Sequence, residues 1–277
     1  MRHSRTKIIP VAATILAFCL VILAGCYKDP PNTPSLFPGK TLIATWPVRG
    51  AAVSIEIWND GPLKDGYAPL YMVLRDSLHV DQLVPDAHIM MMPMVDGLGS
   101  GVADAPYEEP EGSDVEGRFQ GAVLFPFAGP WILHTTVHNH LNNQEAEVMI
   151  PVTVNLATPT ERYQFSDPDD SATSTLIAWA PTTIADHVGY NDMELVIFTH
   201  QANGRWTPDS SHTFTIKTEM PSMGHGSDGN VEPTHRAKGH YFGKVNFTMA
   251  GEWTVTAETF RNGVSVTTPY VFLRTVK

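Results

Sequence analysis

The feature that most constrains this chain is a side-chain period of two. Ala52-Val-Ser-Ile-Glu-Ile-Trp58, His212-Thr-Phe-Thr-Ile-Lys217 and Trp253-Thr-Val-Thr-Ala-Glu-Thr-Phe260 alternate apolar with polar residues, and Leu195-Val-Ile-Phe198 is a short apolar run. Successive side chains of a strand point to opposite faces, so such segments bury one face and wet the other. β-Branched residues dominate them, Gly and Pro punctuate the chain, and no long helical stripe follows the N-terminal segment. The pattern predicts an all-β protein of antiparallel sheets.

The pattern also comes twice. Thr41-Leu-Ile-Ala44 returns as Thr175-Leu-Ile-Ala178, Gly66-Tyr67 as Gly189-Tyr190, and Met92-Pro93 as Met220-Pro221. Gly121-Ala-Val-Leu-Phe125 with Ala128-Gly-Pro-Trp131 returns as Gly243-Lys-Val-Asn-Phe247 with Ala250-Gly-Glu-Trp253. Landmarks that keep their order while their spacing drifts indicate two copies of one domain with insertions in surface loops. The expected domains are residues 40–158 and 172–277, each an antiparallel sandwich of about seven strands. The polar, Pro-containing stretch 159–171 reads as a linker.

Ahead of the domains, Arg2, Arg5 and Lys7 precede an apolar run from Ile8 to Ala24 that ends in Leu23-Ala-Gly-Cys26. The layout is that of a secretory signal peptide, and the last four residues resemble the lipobox of bacterial lipoproteins. The resemblance implies a cleaved signal peptide at 1–25 and lipid on Cys26, followed by a Pro-rich tether to residue 39. The competing reading is a membrane helix with a cytoplasmic stub, for which the run is near the lower length limit. In the lipoprotein reading the protein is held at the cell envelope outside the cytoplasm, facing the periplasm or on the outer membrane. Cys19 then leaves with the peptide and Cys26 is blocked, which excludes thiol catalysis and cysteine metal ligation.

The charge balance narrows the partners. The chain carries 29 Asp plus Glu against 18 Lys plus Arg, and cleavage removes basic residues only. No basic cluster follows residue 7, so nucleic acid is not expected as a partner. An acidic polypeptide also stands off anionic headgroups, which leaves the lipid on Cys26 as the membrane contact.

Six of the 11 methionines fall in two segments, His88-Ile-Met-Met-Met-Pro-Met94 and Met220-Pro-Ser-Met-Gly-His-Gly226. Thioether sulfur is soft and is not protonated at ordinary pH, so clustered Met with His suits Cu(I), and imidazole also accepts Cu(II). The candidate ligands are Met220, Met223 and His225 with His235 or His240 in the second domain. In the first, His88, Met90, Met92 and Met94 form a weaker set, with His88, Met90 and Met92 sharing one strand face. Methionine is equally a filler of irregular core gaps, and the same residues can be read as packing. His134, His138 and His140 would align on one side of a strand, either as further imidazole donors or as an ordinary exposed face.

Met-Pro-Ser-Met-Gly-His-Gly, followed by His240-Tyr-Phe-Gly-Lys-Val-Asn-Phe-Thr-Met-Ala-Gly-Glu-Trp253, resembles the YtkA-like and FixH-like domains. The resemblance covers about 60 residues of the second copy well and the first copy loosely. It implies exported or membrane-anchored immunoglobulin-like modules associated with copper handling and oxidase assembly, and it points to Met220, Met223 and His225. In the first copy only Met92 and Met94 around Pro93 correspond, and an acidic insert follows (Glu108, Glu109, Glu111, Asp114, Glu116).

The sequence lacks a Gly-x-Ser-x-Gly elbow, a His-Glu-x-x-His pair and a phosphate-binding glycine loop, so no enzyme is expected. The leading expectation is a lipid-anchored copper-binding or copper-delivery protein with a metal-acceptor partner. The alternative is a non-catalytic structural or interaction module whose partner is another envelope protein.

Overall fold

A computed structural model describes residues 36–95, 104–112, 117–166 and 173–277. The signal peptide, Cys26 and most of the tether lie outside the described residues, as do Asp114 and Glu116 of the acidic insert.

The first half of the chain folds into β1 (Thr41–Val48), β2 (Val53–Asn59), β3 (Gly66–Asp76), β4 (Ala87–Val95), β5 (Tyr107–Glu111), β6 (Arg118–Phe125), β7 (Gly129–Asn139) and β8 (Gln144–Val154). These form a five-stranded sheet, β1-β2-β3-β6-β5, and a three-stranded sheet, β4-β7-β8. Alternation places Ile55, Ile57, Leu70, Met72 and Phe119 of the larger sheet against Ile89, Trp131, Leu133 and Val137 of the smaller one, all buried in one core. Read as strands A to G, β2 to β8 give A-B-E-D facing C-F-G, the arrangement of a constant-type immunoglobulin sandwich.

The second half repeats this plan. Its strands are β9 (Arg162–Ser166), β10 (Ser174–Trp179), β11 (Gly189–His200), β12 (Trp206–Pro208), β13 (His212–Met220), β14 (His225–Ser227), β15 (Val231–Ala237), β16 (His240–Phe247), β17 (Gly251–Arg261), β18 (Val264–Ser265) and β19 (Tyr270–Val276). β15-β16-β11-β10-β9 is one sheet; β14-β13-β17 is the other, with β18 and β19 also paired to β17. Ile177, Leu195, Phe214, Tyr241, Trp253 and Phe272 fill the core between them. The protein is therefore a tandem of immunoglobulin-like antiparallel β-sandwiches. Among the described residues there is no α-helix.

The two cores are anchored alike. The buried indole of Trp131 donates to the Phe127 carbonyl at 3.2 Å, and that of Trp253 to the Met249 carbonyl at 3.0 Å. A buried indole N–H needs such an acceptor, and the tight turn before each F strand supplies it. Gly129 and Gly251 open those strands at φ +147° and +136°, a region that L side chains rarely adopt.

Three sequence expectations shift. Thr41-Leu-Ile-Ala44 lies in β1 and Thr175-Leu-Ile-Ala178 in β10, but by sheet order β10 matches β2 and β1 matches β9. A four-residue apolar echo is common to strands in general, and this one pairs different elements. The stretch read as linker, 159–171, contains β9, which pairs with β10 as an edge strand. The third shift concerns the methionines. Trp131 pairs with Val95 in the first sandwich; in the second, Glu219 pairs with Thr254, which sets Met220 beside Trp253. Met220 is thus the counterpart of Val95, and Met92 that of Lys217, so the Met-Pro dipeptides are out of step by three residues.

Gly39–Lys277 is one compact unit. Within it the outer faces of the two larger sheets meet, with Leu124 and Tyr67 packed against Leu176, Ala178, Val196 and Phe198. Glu108 and Glu111 of the acidic insert lie at this junction. Glu108 accepts from the Tyr67 hydroxyl at 3.1 Å and pairs with His240 Nε2 at 2.7 Å, while Glu111 pairs with Lys238. Arg162 bridges back to Asp65 at 2.8 Å. Among the described residues, the apolar cluster of this junction draws on the larger sheets and includes no residue of β4, β7, β8, β13, β17 or β19.

Candidate metal centre

The β13 strand ends at Met220, and Pro221 to Gly224 turn the chain into β14. The turn closes through backbone bonds from Met223 and Gly224 to the Met220 carbonyl, at 3.1 and 2.9 Å. Gly224 adopts φ +66°, which closes the hairpin at no Cβ cost. Met220 and His225 are directly opposed across it. Opposed residues share a sheet face with Cβ atoms about 4.5–5.5 Å apart.

The hairpin's donors differ in exposure. Met220 is buried in the core at 3% exposure, its methyl against Gly251, whereas Met223 is 63% exposed. His225 is half-buried, its ring edge-on to Trp253 at 5.7 Å between centroids, with Nδ1 3.0 Å from the Gly226 carbonyl. Met249, whose carbonyl holds the same indole, belongs to this neighbourhood and is 39% exposed. The sequence reading did not single it out, because it stands alone between a strand and a turn.

His235 and His240 are elsewhere. Ser227, two residues past His225, contacts the backbone of Asn246 at the far end of β16, while His240 opens that strand and His235 pairs with Tyr241. At about 3.3 Å per residue, five or six residues of strand separate both imidazoles from the hairpin by roughly 15–20 Å. His240 is instead a junction residue between Glu108 and Glu194. Burial there works against its charged form, but the hydrogen bonds and charges of the two carboxylates outweigh it, and the pKa is pushed up to about 9.

In the first sandwich β4 alternates as the sequence predicts. Ala87, Ile89 and Met91 face the core; His88 and Met90 are exposed and Met92 is half-exposed on the outer face, and Met94 is buried. The strand continues past Pro93 to Val95. Among the other imidazoles, His138 meets His140 edge-on at 4.8 Å, and His140 pairs with Asp86 at 2.8 Å. Among the described residues no three His, Cys, Asp or Glu side chains come together to hold a metal ion. Thioether sulfur is the soft donor these segments add to imidazole, and it selects soft ions.

A family model described as YtkA-like matches residues 184–258, within the second sandwich and including the hairpin and Trp253. The resemblance read from Met-Pro-Ser-Met-Gly-His-Gly is thereby shown for this part of the chain. No curated protein matches the chain. Among solved structures, domains 5-6 of the S-layer protein SbsC align over 86% of this chain and 98% of their own at 14% identity and TM-score 0.30. The Escherichia coli adhesin FdeC aligns over 84% of this chain at 12% identity and TM-score 0.27, and the chain spans 66% of it. An I-band fragment of titin, I67-I69, aligns over 86% of this chain and 65% of its own at 9% identity and TM-score 0.20. These likenesses are too distant to say anything about function.

Proposed function

We propose that the protein is a non-catalytic, lipid-anchored module of the cell envelope that binds Cu(I) through the β13–β14 hairpin and hands it to an acceptor. The observation that carries this reading is the hairpin itself, which holds Met223 and His225 on one turn, with Met220 and the Trp253 indole beneath. Two thioethers and one imidazole make a soft set without a protonatable thiol. The exposed Met223 is the donor an acceptor's ligand can displace first. The Trp253 ring contributes an apolar, electron-rich wall that favours a monovalent cation over a hydrated divalent one. Lipid on Cys26 and the Pro-rich tether would hold the module at a membrane surface.

The burial of Met220 favours a second reading, in which the hairpin thioethers are packing and the module serves protein contacts. Titration of the full chain in detergent with Cu(I), against a calibrated competing chelator, separates the two. Met223→Leu with His225→Ala removes two donors and spares the core residue Met220. The expected loss is at least about tenfold in affinity for one equivalent, since even outer-shell changes cost metal sites 10–100-fold. Unchanged affinity would remove copper from the hairpin and leave the packing reading.

A further inference from the structure

The outer face of β4-β7-β8 carries soft donors that are far apart in sequence and adjacent in the sheet. Met92 is opposite His134, and His134 is opposite Met149, so these three residues form one row across all three strands. The next row is Met90, Thr136 and Glu147. Opposed Cβ atoms in such rows are about 4.5–5.5 Å apart, and Met90 and Met92 on the same face about 7 Å. Methionine has three rotatable side-chain bonds, so all three sulfurs can reach a point above His134. We infer that Met90, Met92, His134 and Met149 form a second soft-metal site, for Cu(I) or a like monovalent ion, on the open sheet face of the first sandwich.

The surroundings fit that assignment. Met90 and Met149 are 42% and 51% exposed on a face turned away from the core, where packing does not account for thioethers. The imidazole of His134 lies with Nε2 3.3 Å from a Glu147 carboxylate oxygen. An outer carboxylate of this kind orients a metal-bound imidazole and leaves the other ring nitrogen for the ion. Three thioethers and one imidazole are a poor set for Zn(II), Ca(II) or Mg(II), so selectivity for a soft ion follows from the donors themselves. In the second sandwich the corresponding row is Lys217, Thr256 and Val271, whose side chains offer a fixed positive charge, a hydroxyl and no donor. The site belongs to the first sandwich alone. His88 and Met94, further along β4, are not in these two rows.

The inference is independent of the hairpin reading, and one experiment tells their failures apart. The full chain, labelled with 13C at the methionine methyls, is titrated with Cu(I) under reducing conditions and compared with Met92→Leu/Met149→Leu. Leucine keeps the bulk of two outward side chains, so the fold should stand. The expected result is that one equivalent shifts the Met90, Met92 and Met149 methyls, and that the double variant loses at least about tenfold in affinity for it. Movement confined to the Met220, Met223 and Met249 methyls would overturn the sheet site and leave the hairpin. No methyl movement would overturn both, and sheet-methyl movement with unchanged affinity in the double variant would show contact without ligation and overturn the assignment.

Discussion

The two sandwiches share one strand plan and one tryptophan anchor, yet they place their methionines in different kinds of position. In the first, Met90 and Met92 lie mid-strand on an open sheet face; in the second, Met220 has turned into the core and Met223 sits in a hairpin turn. A three-residue offset between the Met-Pro dipeptides accounts for this. An odd shift moves every side chain of a strand to the opposite face, so the methionine of the dipeptide lies on the outer face in one sandwich and in the core in the other. The two sandwiches share the scaffold and set their methionines on different faces of it.

The largest test of that contrast exchanges the rows. Met92→Lys with His134→Thr and Met149→Val should abolish Cu(I) binding at the first sandwich. The reverse graft, Lys217→Met with Thr256→His and Val271→Met, should create a sheet-face site on the second. Each is a change of at least about tenfold in affinity, read by competition titration and methyl shifts. A graft that binds nothing would mean that the row alone is insufficient and that the neighbouring row, Met90 with Glu147, is needed as well.

A smaller effect comes from the glycines that open the F strands. Gly129→Ala and Gly251→Ala should each lower unfolding free energy by about 1–3 kcal/mol, because both φ values disfavour a Cβ. A Cβ at Gly129 meets nothing within 4 Å, whereas one at Gly251 comes within 2.6 Å of the Met220 methyl. Denaturant melts should therefore be similar for the pair, since that methyl can swing aside. Only the Gly251 variant should shift the Met220 methyl resonance and alter Cu(I) binding at the hairpin.

The smallest effect is at the junction. His240 has a folded pKa raised to about 9 from an ordinary 6.5, so its stabilisation is fully present below about 6.5 and is lost as pH rises through about 9. Thermal melts of the native protein should show that extra loss between pH 7 and 10, and His240→Gln should remove it from the difference curve. Solvent screening keeps the size small, because the carboxylates it pairs with are partly exposed. An identical pH profile in the variant would show that apolar packing around Leu124 holds the junction without it.

The sequence disclosed the architecture well because strands announce themselves locally. The alternation in Trp253 to Phe260 falls inside β17, and Gly66-Tyr67 and Gly189-Tyr190 both open the B strand of their sandwich. Pairing is non-local, and there the reading faltered. Met149 looked unremarkable in Glu145-Ala-Glu-Val-Met149 because its nearness to His134 depends on the register of β7 with β8. His235 and His240 stand close to the hairpin in sequence, but β15 and β16 carry them into the other sheet. Glu108 and Glu111 of the acidic insert find partners on the neighbouring sandwich, which no local pattern encodes.

The three-stranded sheet of the first sandwich has two outermost strands, and each contains a proline, Pro93 in β4 and Pro151 in β8. A proline has no N–H to offer a neighbouring strand, and Glu145 and Glu147 add charge along the second border. A sheet that shows exposed thioethers to its surroundings is thereby guarded against growing sideways into another copy. Even at high local concentration, such molecules should remain separate rather than assemble edge to edge into fibres.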